Sequence, residues 1–232
     1  MGSPFTEVFK DVVGLFLPRL CGGCDRPLMR AEAALCLACA MDLPRNRFHD
    51  DPMNPVERLF HGRLSLEAAS AFLRFEPRGM VQRLLHRLKY NGDEAIGHEL
   101  GRRMGDELQR SMRFASVDAA LAVPLHPRKE RQRGYNQSQV LVDGITEVSP
   151  IRSLHRELVR GRHTASQTRR GRMDRWTNVQ EAFTLRDPGA LQGLHVLIVD
   201  DVVTTGATIE SCAQLLAQVP GVRISVFTCA SA

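Results

Sequence analysis

Residues 194–209 constrain the fold of this chain more than any other stretch. An apolar, largely β-branched run over 194–199 is followed directly by two carboxylates, Asp200 and Asp201. A short run without polar alternation is typical of a parallel strand that is buried on both faces. Because ligands of parallel sheets bind beyond the carboxyl ends of the strands, we expect the two aspartates to lie at a ligand site.

A small loop rich in hydroxyl groups follows the aspartates and leads into a helical pattern. Its residues are Thr204, Thr205, Gly206, Ala207 and Thr208. The free N–H groups of a helix start favour a phosphate, glycine allows close backbone approach, and threonine adds hydroxyl donors. Two carboxylates beside such a cradle indicate a ligand with vicinal hydroxyls and a phosphate, such as a ribose 5-phosphate. The alternative is an ordinary strand-to-helix turn with an aspartate cap.

The segment 199–208 resembles the phosphoribosyl-pyrophosphate (PRPP) motif of type I phosphoribosyltransferases. The resemblance implies that Asp200 and Asp201 form the catalytic pair and hydrogen-bond the 2′- and 3′-hydroxyls of the ribose. It also implies that the loop 204–208 holds the 5′-phosphate.

Four cysteines near the N-terminus form a second motif. Cys21-Gly-Gly-Cys24 and Cys36-Leu-Ala-Cys39 are two C-x-x-C knuckles separated by eleven residues. Four thiolates from two tight turns can surround one tetrahedral Zn²⁺, and the glycines would let the backbone curl around it. A disulfide pair or a redox site is the alternative, but there is no export signal and the motif occurs twice. We therefore predict a structural zinc ribbon.

Composition sets the remaining limits. The chain has 232 residues and is 43% hydrophobic, enough for one domain of ordinary size plus a small module. Its net charge is +5 and its cations are almost all arginine, which suits phosphate, diphosphate or nucleic acid, although such a charge is also common elsewhere. No apolar stretch approaches the roughly 20 residues that span a bilayer, and no signal peptide is recognisable, so we expect a cytoplasmic protein.

Alternating strand and helix patterns after residue 67 predict an α/β fold with a mostly parallel sheet flanked by helices. We predict three regions. They are an N-terminal helix and four-cysteine zinc ribbon (1–45), a proline-containing linker (46–66) and a type I phosphoribosyltransferase-like domain (67–232).

The segment 123–137 is proline-stiffened and rich in cations, and we predict a loop followed by a helix. In the type I fold, a loop at this place binds pyrophosphate with the help of cations and Mg²⁺. The residues that this implies are Leu125, His126, Arg128, Lys129 and Arg133. The alternative is a solvated basic loop.

The segment 160–178 is polar, arginine-dense and punctuated by glycines, so we expect it to be mobile without a ligand. In type I enzymes a flexible loop in this topological slot closes over the active site. The ligand contacts predicted here are Arg160, Arg162, Gln167 and Arg175. Solvated arginines are the alternative for each of them.

Taken together, the motifs resemble the ComF family of competence-associated proteins over nearly the whole chain. The matching pieces are the paired cysteine knuckles, residues 88–92, 123–128, 133–137, 162–164 with 167, 178 with 182–183, and the PRPP motif. The resemblance implies PRPP and Mg²⁺ as ligands and a role in DNA uptake during natural transformation, with single-stranded DNA and other uptake proteins as partners. A non-catalytic protein that binds single-stranded DNA or senses PRPP is the alternative. Aromatic residues for base stacking are few, with Tyr135 and Trp176 the candidates near the basic segments.

Overall fold

The fold is taken from a computed structural model and is described for residues 18–161 and 183–232. In chain order its elements are α1 (Leu37–Met41), α2 (Pro55–Arg58), β1 (Ala68–Arg74), α3 (Met80–Tyr90), α4 (Glu94–Arg110), β2 (Ala119–Ala122), α5 (Pro127–Arg133), α6 (Gln137–Val148), β3 (Arg152–Ser153), β4 (Leu158–Arg160), β5 (Phe183–Leu185), a 3₁₀ turn (Pro188–Leu191), β6 (His195–Val203), α7 (Ala207–Leu216) and β7 (Arg223–Ser231). Within these residues, no helix is both long and apolar enough to cross a bilayer.

A five-stranded sheet forms the centre of the molecule. Its order is β1-β7-β6-β2-β3, and every neighbouring pair is parallel. The middle strand, β6, lies between β7 and β2, and its first five residues are buried. A strand in this position is covered on both faces, which is why its sequence does not alternate. The predicted fold class, a mostly parallel sheet flanked by helices, is confirmed.

The sheet separates two hydrophobic cores. Leu197 and Val199 of β6 belong to one core, whereas Val196 and Ile198 belong to the other. Successive strand residues point to opposite faces, so these two cores lie on the two sides of the sheet. The first core includes residues of α3, α4 and α6 together with the cysteine knuckles, and the second includes residues of α2, α7 and the antiparallel pair β4-β5.

A short helix, α5, occupies part of the segment that we predicted as a loop. His126 is its N-cap, and its Nδ1 accepts the backbone N–H of Arg128 at 3.2 Å. Pro127 is the first helical residue, where its missing N–H costs nothing, and Gly134 ends the helix with φ +87°. The prediction of a loop over 127–133 was therefore wrong, because a proline start and a glycine stop make these residues helical.

The segment that we predicted as a linker packs on the sheet. Val56 and Phe60 are each 1% exposed and belong to the second core. Arg113 binds Glu57 through two hydrogen bonds of 2.6 and 2.8 Å, and the amide of Asn54 donates to the carbonyl of Ala69 at 2.8 Å. Residues 54–60 are therefore held firmly against β1 and against the residues that follow α4. The domain boundaries themselves stay a prediction.

Candidate functional site

The two aspartates of β6 face the start of α6. Ser138 Oγ donates to Asp200 Oδ1 at 3.0 Å, and Gln137 Nε2 donates to Asp201 Oδ2 at 2.6 Å. Both donors belong to the first turn of α6, whose N-cap is Asn136. The positive end of the α6 dipole therefore stabilises negative charge on the pair.

Lys89 reaches the same pair from the last turn of α3. Its Nζ donates to Asp201 Oδ1 at 2.9 Å, and the two side chains are only 23% and 9% exposed. Salt screens such a partly buried ion pair much less than a surface pair. Asp201 therefore carries a charged partner on one oxygen and an amide partner on the other.

The carboxyl of Asp200 is electrostatically unfavourable as an anion. Removal from water and the adjacent negative charge of Asp201 raise its pKa above the usual value. The backbone N–H of Asp201, the hydroxyl of Ser138 and the charge of Lys89 oppose this rise in pKa. A cation or a hydrogen-bond donor that approaches Asp200 would therefore be favoured.

The loop after β6 forms a small open cavity at the start of α7. The cavity has a volume of about 60 Å³ and is lined by Asp200 and residues 202–209. Gly206 is buried, has φ +76° and is the N-cap of α7. The other predicted phosphate-binding positions are exposed; they are Thr204, Thr205, Ala207 and Thr208. Since the first N–H groups of a helix have no partner inside it, the cavity suits an anion.

The backbone at Gly206 lies very close to the ring of Phe60. A Cβ atom at this position would lie 2.6 Å from Cε1 and 2.9 Å from Cζ of Phe60. Phe60 belongs to the packed segment 54–60, so the loop 204–208 rests directly on that segment. Glycine is therefore required here by both its φ and its surroundings.

The structure places the predicted pyrophosphate residues around α5. Leu125, His126 and Arg133 are partly buried, whereas Arg128 and Lys129 are exposed. Arg133 Nη1 donates to Gln137 Oε1 at 2.8 Å, and its guanidinium lies 5.1 Å from the ring centroid of Tyr90. Arg133 is thus connected to Asp201 through Gln137, whereas the side chains of Arg128 and Lys129 face solvent among the described residues.

One of the predicted flexible-loop residues is described. Arg160 ends β4, and its guanidinium lies 5.3 Å from the ring centroid of Phe183 in β5. Arg162, Gln167 and Arg175 lie outside the described residues. The roles predicted for these four residues stay predictions.

The four cysteines of the two knuckles come together. The Sγ atoms of Cys21, Cys24, Cys36 and Cys39 all lie within 4.8 Å of one another, and the distance from Cys24 Sγ to Cys36 Sγ is 3.7 Å. Four sulfurs at about 2.3 Å from a tetrahedral zinc are separated by about 3.8 Å, so the arrangement fits this metal.

Donors around the sulfurs also suit thiolates. The backbone N–H groups of Gly23 and Cys36 donate to Cys21 Sγ at 3.4 and 3.2 Å, and Arg26 Nε donates to Cys24 Sγ at 3.4 Å. These Arg26 contacts lower the pKa of the Cys24 thiol. Such outer partners hold the ligands in place and favour the charged sulfur that a metal needs.

The cysteine module is attached to α3. Arg83 Nη2 donates to the carbonyl of Gly23 at 2.6 Å, and Arg87 Nη1 binds the carboxylate of Asp25 at 3.0 Å. A Cβ on Gly22 would lie 2.7 Å from Cδ1 of Ile96, so this glycine serves close packing on α4. Asp25, which directly follows the first knuckle, is left-handed with φ +58°. A Cβ on Gly23 would lie 2.9 Å from Cys39 Sγ, so this glycine lets the backbone approach the sulfurs closely.

Comparison with known proteins identifies the family. The phosphoribosyl transferase domain family matches residues 120–230. Competence protein F of Haemophilus influenzae is 29% identical over 153 residues, which cover 64% of this chain and 67% of that protein. The DNA utilization protein YhgH of Salmonella typhi is 31% identical over 214 residues, which cover 87% of this chain and 92% of that protein. The chain belongs to the ComF family.

A hypoxanthine phosphoribosyl transferase of Trypanosoma cruzi was found among solved structures. It aligns with 62% of this ComF protein and 75% of its own chain, at 15% identity and a TM-score of 0.35. Because this TM-score and this identity are low, the alignment is not used to assign the fold. The fold assignment rests on the order of the strands in the sheet and on the match to the phosphoribosyl transferase domain family.

The matched domain of this ComF chain contains the acidic pair, the loop 204–208 and α5, but not Lys89 or the four cysteines of the knuckles. Sequence reasoning missed the role of Lys89 at the site, because a residue on α3 has no sequence proximity to β6. A signal was available: lysine occurs at only three positions of this arginine-rich chain, and Lys89 lies in the family-like piece 88–92.

The structure points to a different exposed aromatic residue as the candidate for base stacking. Tyr135 is partly buried, and its hydroxyl donates to the carbonyl of Leu88. Tyr90 is 65% exposed instead, and its ring centroid lies 4.9 Å from that of His86. Trp176 lies outside the described residues.

Proposed function

We propose that this ComF-family protein binds PRPP with Mg²⁺ at the carboxyl end of β6 and acts as a phosphoribosyltransferase in the cytoplasm. The observation that carries the proposal is that Asp200 lines the same cavity as the phosphate cradle. One ligand can therefore meet a carboxylate and a helix N-terminus together, as a ribose 5-phosphate requires. The names of the relatives, which refer to DNA utilization and competence, support a role in DNA uptake with other uptake proteins as partners.

The reaction that this arrangement suits is a displacement at the anomeric carbon of the ribose. The bond from that carbon to pyrophosphate breaks, and a bond to the nucleophilic atom of an acceptor forms on the opposite face. The acidic pair would hold the ribose and the loop 204–208 its 5′-phosphate. Arg128, Lys129 and Arg133 would stabilise the charge that grows on the leaving pyrophosphate.

The site fits Mg²⁺ delivered with the substrate. This ion keeps several waters and is commonly held by one or two carboxylates plus substrate phosphate oxygens. Asp200 Oδ1 accepts two hydrogen bonds, but no described residue donates to Oδ2. Asp200 thus has an oxygen for the ion or for a ribose hydroxyl. When bound, Mg²⁺ would neutralise charge on the pyrophosphate.

We also propose that the four-cysteine cluster holds one structural Zn²⁺. All four ligand positions would be filled by protein, so the metal would have no open coordination site for chemistry. The knuckles belong to the first core and bond to α3. The metal would therefore support the packing of the N-terminal module.

Calorimetric titration of Mg²⁺-PRPP tests the central proposal. We expect saturable binding to the zinc-loaded protein and loss of binding in the Asp200→Asn/Asp201→Asn double variant. Asp106→Asn, which removes an exposed carboxylate on α4, is the matched control and should bind like the wild type. Absence of binding by the folded wild type would refute PRPP binding. If binding is found, release of pyrophosphate with candidate acceptors tests turnover.

A second candidate function is binding of single-stranded DNA without catalysis. The observation that favours it is the exposed ring of Tyr90, which lies beside His86 and under the guanidinium of Arg133. Such aromatic and cationic groups bind single strands by stacking and by phosphate attraction. Fluorescence anisotropy with a labelled oligonucleotide should show affinity that falls steeply with salt and is weakened in Tyr90→Ala. Salt-independent binding, or none, would exclude this function.

A further inference from the structure

The side chain of Gln137 joins the two halves of the candidate site. Its Nε2 donates to Asp201 Oδ2 at 2.6 Å, and its Oε1 accepts Nη1 of Arg133 at 2.8 Å. Asp201 belongs to the acidic pair, which we expect to hold the ribose, whereas Arg133 belongs to the residues predicted to bind pyrophosphate. Gln137 itself is 5% exposed, so its amide acts on a ligand through these two neighbours.

The chemistry of the two neighbours determines which way the amide points. A carboxylate can only accept hydrogen bonds, and a guanidinium can only donate them. The nitrogen of the amide must therefore face Asp201, and its oxygen must face Arg133. Glutamine offers one strong donor and one strong acceptor at this side-chain length, whereas methionine offers neither and ionised glutamate offers acceptors alone. Both neighbours are thus satisfied together by an amide.

The start of α6 fixes the backbone of Gln137. Asn136 is the N-cap of this helix, and its Oδ1 accepts the backbone N–H of Ser138 at 3.0 Å. The Nδ2 of the same side chain donates to the carbonyl of Val123, directly after β2, at 3.0 Å. The amide of Gln137 therefore extends from a fixed point, from which it reaches both β6 and α5.

Charged side chains from three elements lie around this amide. Asp201 of β6 and Arg133 of α5 contact it directly. Lys89 of α3 binds Asp201 at 2.9 Å, and Asp200 is the neighbour of Asp201 on β6. Two carboxylates and two cations are thus balanced, and a neutral amide keeps that balance. A third carboxylate at position 137 would disturb it, because nearby like charges disfavour ionisation.

We propose that Gln137 is a positioning residue of the PRPP site, which orients the Asp201 carboxylate and the Arg133 guanidinium together. One amide thus sets the distance between a carboxylate that would bind the ribose and a cation that would stabilise the leaving pyrophosphate. The inference rests on the proposed function, since it concerns the same site. It leaves both aspartates able to accept hydroxyl groups of the ribose.

Two substitutions of similar length test the proposal by calorimetric titration with Mg²⁺-PRPP. Gln137→Met removes both hydrogen bonds, so we expect the affinity to fall about tenfold. Gln137→Glu keeps the acceptor for Arg133 but places another carboxylate against Asp201, so at about pH 8 it should bind more weakly still. If Gln137 served only as an acceptor for Arg133, this order would be reversed and the proposal would be overturned.

A neighbour on the same helix supplies the matched control. Gln139 Nε2 also donates to a carboxylate, Asp143 Oδ1, at 2.8 Å, and Asp143 does not belong to the candidate site. Gln139→Glu should therefore bind PRPP within about threefold of wild type. A loss as large as that of Gln137→Glu would show a general effect on α6 and would overturn the proposal.

Reversing the polarity of the bond gives a sharper readout. In Gln137→Glu/Asp201→Asn, the introduced amide can donate to the introduced carboxylate, which still accepts from Arg133, and the total charge equals that of the wild type. The double variant should therefore bind PRPP at least about tenfold more tightly than the product of the two single effects predicts. A side chain that merely fills space would give additive losses, and these would overturn the proposal.

The bond can also be tested without a ligand. In urea unfolding, Gln137→Glu should lower the midpoint, and adding Asp201→Asn should raise it again, because two carboxylates no longer face each other. Additive losses in urea would overturn the inference independently of PRPP. Wild-type protein that fails to bind PRPP would instead refute the proposed function, and the urea data would then decide alone whether Gln137 holds Asp201.

Discussion

The close contact between Gly206 and Phe60 allows the most quantitative prediction for the loop 204–208. In Gly206→Ala, two costs combine. An L-residue at φ +76° costs roughly 1–2 kcal/mol. The new Cβ would also lie 2.6 Å from the ring of Phe60, which is 1% exposed and packed in the second core. Overpacking of this kind costs roughly 1–3 kcal/mol, so the free energy of unfolding should fall by roughly 2–5 kcal/mol.

Gly62→Ala is the matched control for this substitution. Gly62 has φ +71°, but nothing lies within 4 Å of a Cβ built on it. It should therefore show the backbone cost alone, and the difference between the two variants measures the contact with Phe60. Urea unfolding gives both free energies. If the two variants lose the same free energy to within about 0.5 kcal/mol, the contact has no energetic weight and the reasoning is refuted.

The same pair of variants connects stability to the site. Relief of the contact would move the loop 204–208 away from Phe60, and with it the N–H groups that line the cavity. Titration of Gly206→Ala with Mg²⁺-PRPP should therefore show weaker binding, whereas Gly62→Ala should bind like the wild type.

Three further predictions concern metal, charge and the link between them. Cys24→Ser should lose zinc by elemental analysis, whereas Cys212→Ser, which removes a buried thiol outside the cluster, should keep it. Because the folded-state pKa of Asp200 lies above the unfolded one, its carboxyl stabilises the fold only at low pH, and this contribution is lost as the pH rises through that folded-state pKa. Asp200→Asn should accordingly raise the free energy of unfolding at about pH 8 by roughly 1 kcal/mol, since partial exposure of the side chain reduces the effect. This gain in stability should shrink towards about pH 5. A gain that grows on acidification would contradict the direction of the pKa shift. Removal of zinc by a chelator should weaken PRPP binding as well as stability, because Arg87 joins the cysteine module to α3 and Lys89 joins α3 to the acidic pair. If metal-free folded protein binds PRPP with unchanged affinity, the cysteine module does not influence the acidic pair through α3.

The sequence by itself determined the local features whose causes are also local. The unbroken apolar run before Asp200 required a strand covered on both faces, and β6 is the middle of the sheet. Likewise, alternating strand and helix patterns predicted the mostly parallel sheet, and two C-x-x-C knuckles predicted the gathering of the cysteines. In each case the physical cause of the structural feature lies within a few residues that are close together in sequence.

Only the tertiary structure decided which side chains meet. Lys89 and Asp201 are separated by 112 positions, and their pairing depends on α3 and β6 packing in the first core. Phe60 contacts Gly206 because the segment 54–60, which looks like a linker in sequence, packs on the sheet. Residue patterns report burial and local conformation, but a contact between distant segments depends on how their elements pack. The motif therefore predicted an acidic pair, and the fold left Asp200 partly exposed while it buried Asp201.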